Sequence, residues 1–123
     1  MSRNRVLTLG MIATLAVLTW ALPAAAQHAR ASVTTVTVVS GSPNEFSFTV
    51  TPKTVKRGIV TFKVTNKGNL PHDFQINRRK TRLLSPGSSA TLRVTFLKTG
   101  KYTYMCTVSG HAAAGMKGTI VVK

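Results

Sequence analysis

Cys106, His111 and Met116 stand in one run, Cys106-Thr-Val-Ser-Gly-His111-Ala-Ala-Ala-Gly-Met116, with four residues in each interval. A thiolate, an imidazole and a thioether so close together form a soft donor set. That set suits a copper ion that carries single electrons between two oxidation states. Such a site needs a second imidazole, and His72 stands upstream. Each residue alone has an ordinary reading: a buried thiol, a surface imidazole, a flexible core filler. Zinc is the competing metal, but structural zinc favours several thiolates, or thiolates with imidazoles, and no thioether. His28 falls in a stretch without period and is expected to be a bystander.

Three donors on one loop can surround a point only if the backbone turns sharply, and Gly110 and Gly115 permit that. The fourth donor must then come from a distant segment. The elements that hold these parts read as short strands. Val33–Val39 is rich in Val and Thr. Glu45–Val50 alternates, with Phe46, Phe48 and Val50 on one face. Ile59–Val64, Thr91–Phe96 and Lys101–Cys106 alternate likewise, the last with Tyr102, Tyr104 and Cys106 on one face. His72–Ile76 reads as a short strand and Gly118–Val122 as the last. Pro52–Gly58 reads as a polar connection. Turn clusters at Gly41-Ser-Pro-Asn44, Asn66–Pro71 and Ser85–Ser89 separate them. About seven to eight strands at this spacing predict an all-β sandwich. Residues 112–115 are too few for a stable helix.

The first 26 residues read as an export leader. Arg3 and Arg5 precede an apolar run from Val6 to Leu22, and Ala24-Ala25-Ala26 offers a small-residue cleavage site. This predicts a signal-peptide helix over 1–26 cut after Ala26, a loose tail over 27–32 and one domain over 33–123. A cut after Ala31 and an uncleaved anchor are the alternatives. Consecutive arginines, as on a twin-arginine route, do not precede the run. Cys106 is the only cysteine, so a lipidated N-terminal cysteine is excluded, as is an internal disulfide. An unpaired cysteine outside the cytosol calls for another use.

Without residues 1–26 the chain keeps fifteen lysines and arginines against two acids, Glu45 and Asp73. Such an excess acts through long-range attraction to acidic proteins or to an anionic membrane surface. Nucleic acid is excluded as the expected partner, because no aromatic and basic reader motif accompanies the charge.

The stretches Asn66-Lys-Gly-Asn-Leu-Pro-His72-Asp-Phe and Gly100-Lys-Tyr-Thr-Tyr-Met-Cys106 through Met116-Lys-Gly118, with the Ser85-Pro86-Gly87 turn, resemble the cupredoxins. This blue-copper family includes plastocyanin, azurin and auracyanin. The four-residue gap between Cys106 and His111 looks more like auracyanin loops than plastocyanin. The resemblance covers the whole chain beyond Ala26. It implies a Greek-key sandwich and one type 1 copper held by His72, Cys106, His111 and an axial Met116. It also implies electron transfer rather than catalysis, by a monomer in the periplasm or on an extracytoplasmic face. Many relatives carry Asn after the first histidine, where this chain has Asp73. A carboxylate there is expected to tie to the Cys106 loop through groups such as Thr107. The family's apolar docking patch maps to Ala112, Ala113 and Ala114. Arg78, Arg79, Lys80 and Arg82 then form a basic patch for an acidic redox partner. The alternative use of the same ligands is a copper carrier or store, which the low methionine count disfavours.

Overall fold

The computed structural model describes residues 32–123, together with Gly10. The expected leader and nearly all of the tail lie outside the described residues. Nine strands follow in order: β1 (Thr34–Ser40), β2 (Phe48–Thr51), β3 (Thr54–Val55), β4 (Gly58–Asn66), β5 (Gln75–Ile76), β6 (Arg79–Lys80), β7 (Ser89–Phe96), β8 (Gly100–Met105) and β9 (Lys117–Val122). They form a four-stranded sheet, β2-β1-β4-β7, and a five-stranded sheet, β3-β9-β8-β5-β6. Both are mixed, since β1 pairs β4 in parallel and β3 pairs β9 in parallel. The described chain is therefore the all-β sandwich that its strand spacing predicts.

Alternation accounts for the layers. Val36 and Val38 of β1, Val60, Phe62 and Val64 of β4, and Leu92, Val94 and Phe96 of β7 are all buried. They face Phe74, Tyr104, Ile120 and Val122 from the other side of the core. Their neighbours in sequence point outward, as a period of two requires. Each fully buried side chain of this size contributes about 1.5–3 kcal/mol relative to exposure. Edge-on aromatic pairs tie the layers together: Phe48 lies 5.4 Å from Phe74 and 5.8 Å from Tyr104, centroid to centroid.

The structure redraws four sequence expectations. The second strand starts at Phe48, not Glu45. Ser47 Oγ donates to Asn44 O and accepts from Asn44 N, so residues 44–47 hold a turn rather than a ladder. Phe46 consequently leaves the face shared by Phe48 and Val50. His72 makes only an isolated bridge to Leu84, and pairing proper begins at Gln75. The polar connection after Pro52 contains β3, and the basic run after Ile76 contains β6. Two-residue strands carry no readable period.

Register brings the site together. Along the parallel pair, Thr34 sits opposite Val60 and Ser40 opposite Asn66. The loops after β1 and β4 therefore leave the sheet side by side. Lys67 N donates to Ser40 O across the junction at 2.9 Å. Gly41 sits at φ +73°, and a side chain there would collide with the backbone of Gly68.

Candidate metal centre

The loop between β8 and β9 is wound by its own backbone. Cys106 N donates to Met116 O at 3.1 Å, and Met116 N to His111 O at 3.0 Å. His111 N donates to Val108 O, Ala114 N to Gly110 O and Gly115 N to Ala112 O. Gly110 and Gly115 hold φ of +81° and +116°, the turns expected of them. These bonds hold Cys106, His111 and Met116 on one short closed segment. Cys106 and Met116 are fully buried, and His111 keeps 9 % of its surface exposed.

His72 arrives from the loop after β4. It exchanges backbone hydrogen bonds with Leu84 at 3.0 and 2.8 Å. The buried side chain of Asn66 supports that loop from inside. Its Nδ2 donates to Leu70 O and Leu84 O, each at 2.8 Å, and its Oδ1 accepts from Gly68 N.

His72 Nδ1 lies 3.1 Å from His111 Nδ1, and Cys106 Sγ lies 3.9 and 3.6 Å from those two nitrogens. A point equidistant from all three atoms is about 2.1 Å from each, close to ordinary metal–imidazole and metal–thiolate bond lengths. His72 Nε2 is 2.7 Å from Glu45 Oε1, a carboxylate oxygen that can only accept, so Nε2 is the donor and Nδ1 is the ring nitrogen that faces the other two donors. Burial, then the neighbouring His72, holds His111 below the usual imidazole range, which favours its neutral ring. Two nitrogen lone pairs at this distance repel unless a proton or a metal ion lies between them. Burial pushes the Cys106 thiol above its ordinary range, against the pull of backbone hydrogen bonds. Its thiolate therefore needs a cation. The donor set fits a thiophilic ion, and among the described residues His72, Cys106 and His111 form the metal-competent cluster.

Two carboxylates flank the donors. Asp73 Oδ1 accepts from Thr107 N at 2.6 Å, and Thr107 Oγ1 donates to Asp73 Oδ2. This latch joins the residue after His72 to the residue after Cys106. Lys80 reaches it, with Nζ 3.7 Å from Asp73 Oδ2 and 3.3 Å from Thr107 Oγ1. Arg78, Arg79 and Arg82 are exposed nearby in sequence. Ala113 and Ala114 are exposed and Ala112 is half-buried.

Glu45 is the residue that sequence reasoning missed. Besides His72 it accepts from Asn69 N at 2.8 Å and Leu70 N at 3.0 Å. The Asn69 amide is the main cause that holds its carboxyl below the usual range. The next residue, Phe46, packs edge-on against the His111 ring, with centroids 5.1 Å apart. A lone acid at the head of an alternating run gives no sequence signal for such a role.

A β-sandwich with His72, Cys106, His111 and Met116 gathered at one end matches the type 1 copper sites of blue copper proteins. The chain matches the cupredoxin-like domain over residues 11–122 and belongs to that family. Similar solved structures include auracyanin from the photosynthetic bacterium Roseiflexus castenholzii, at 26 % identity and TM-score 0.57, covering 76 % of this chain and 98 % of that one. Rusticyanin from Thiobacillus ferrooxidans aligns at 26 % identity and TM-score 0.60, covering 74 % and 77 %. Auracyanin B aligns at 20 % and TM-score 0.62, covering 76 % and 90 %. Multicopper oxidases share the fold, with this chain spanning less than half of their length. No curated protein matches the sequence. Fold and donor set together support electron transfer in general.

Proposed function

We propose that this chain is an exported blue-copper protein that passes single electrons between redox partners. One type 1 copper would be held by His72, Cys106 and His111, with the Met116 thioether as a further, weaker donor. The observation that carries the reading is the buried triangle of two Nδ1 atoms and one Sγ. Bound copper would supply one-electron chemistry by alternating between Cu(I) and Cu(II).

The chain's own residues supply the rest. The sandwich and the wound loop hold the donors in one arrangement, so little has to move when charge changes. Burial of His72 and Cys106 keeps water from the sulfur. His111 alone among the three keeps an exposed edge, beside the short side chains of Ala112, Ala113 and Ala114, which let a partner approach closely. The exposed Arg78, Arg79, Lys80 and Arg82 favour an acidic partner. The leader-like start supports export, with cleavage after Ala26, and work in the periplasm. A carrier that hands over its ion is poorly served by donors as enclosed as these.

Adding Cu(II) to the purified domain should give an intense thiolate-to-copper absorption band, and Cys106→Ser should abolish it. A colourless product that binds Zn(II) tightly instead would overturn the proposal.

A further inference from the structure

The chain beyond Ala26 has two acids, and both end at the metal centre. Asp73 has the role its position beside His72 foretells. Glu45 does not, because it lies 27 residues before the histidine it touches. Fifteen lysines and arginines are available to it in sequence. Among the described residues, however, its polar partners are the His72 ring and the backbone amides of Asn69 and Leu70. The site is built to bring this carboxylate in. A side chain on Gly68 would collide with Glu45 Oε1 and come within 3.0 Å of His72 Nε2. Gly41 lets the loop bearing Glu45 close onto the loop bearing His72. Ser47 locks the intervening turn through Asn44. Glu45 and Phe46 thus address the two histidines from one turn, the first by hydrogen bond and the second by ring packing.

We propose that Glu45 is a positioning residue of the metal centre, acting on the metal through His72. By accepting the Nε2 proton it keeps Nδ1 bare and aimed at the other donors. Its negative charge makes that nitrogen a stronger donor, and so favours the oxidised over the reduced ion. Carboxylates behind a ligating imidazole orient the ring and raise its basicity, and losing such a partner costs about 10–100-fold in metal affinity. The copper part of this inference rests on the function proposed above, whereas the tautomer part does not.

Two kinds of measurement test it on the whole domain. In the metal-free wild type at mildly alkaline pH, imidazole 15N shifts should show His72 as the Nε2–H tautomer. In E45Q, which keeps size but loses charge, the absorption band should persist. Affinity for Cu(II) should fall about 10–100-fold relative to Cu(I). For one electron that raises the potential by about 60–120 mV. Gly68→Ala, which pushes the carboxylate off the ring, should raise the potential as well. An Nδ1–H tautomer in the wild type overturns the proposal, as does an E45Q potential equal to the wild-type value. A wild type with no absorption band sinks the copper reading instead, and the tautomer then decides the role of Glu45.

Discussion

At the scale of single residues, the donors divide by how they can be found. Cys106, His111 and Met116 were legible because one loop carries all three, and a soft triplet at close spacing is rare by chance. His72 was legible because a second imidazole was needed and a turn-rich segment offered one. Glu45 and Phe46 were not, because their meaning lies in contacts that only the folded chain creates. Phe46 even misled, since it continues the alternation of Phe48 and Val50 in sequence. Met116→Leu keeps volume and burial, so it should cost less than about 1.5 kcal/mol in stability. With the thioether donor gone, the absorption band should survive and the potential should rise, measurable by redox titration. Phe46→Ala removes the ring that packs on His111. An aromatic pair of this kind is worth about 0.5–1.5 kcal/mol, so denaturant unfolding should show a loss of that order or more. Freed on one side, the His111 ring should give broader metal-linked spectra.

At the scale of elements, the long strands were visible and the short ones were not. A seven- to nine-residue strand repeats its alternation often enough to be read, as β1 and β4 do. β3, β5 and β6 have two residues each, and their existence depends on the neighbour they pair with. The β5–β6 hairpin turns through Asn77 and Arg78, at φ of +48° and +62°. Both central residues therefore sit in the left-handed region that favours Asn or Gly. Asn77 suits it and Arg78 does not. Arg78→Gly should stabilise the domain by about 0.5 kcal/mol, the relief of strain exceeding the added chain entropy. Calorimetry should show Tm higher by about 2–4 °C. An unchanged or lower Tm would show that the arginine side chain compensates elsewhere.

At the scale of the whole molecule, charge and burial set the response to solvent. Beyond Ala26 the chain carries fifteen basic residues, and its two acids lie at the metal centre. Electron exchange with an acidic protein should therefore slow by about tenfold or more from low to high salt. A stopped-flow rate that stays flat with ionic strength would remove the electrostatic docking idea. Arg79→Glu combined with Arg82→Glu should flatten the dependence and leave the absorption band intact. Alkaline pH acts on the core instead. Burial raises the Tyr104 phenol above its ordinary 10.0. A raised phenol binds its proton more tightly in the folded state. The stability it contributes is thus complete below about pH 10 and is lost as pH rises through the folded value. In denaturant titrations, Tyr104→Phe should lose less stability than the wild type over that range.

The parallel pairing of β1 with β4 has a chemical consequence. Ser40 opposite Asn66 sets where the two loops begin, and one step of slippage would displace one against the other by about 3.3 Å. No hydrogen bond stretches that far, so Glu45 would miss the His72 ring. Strand alignment is in this sense a gauge for electron affinity. A chain folded one notch out of step would announce the error as a shifted voltage at a centre whose own ligands were all still present.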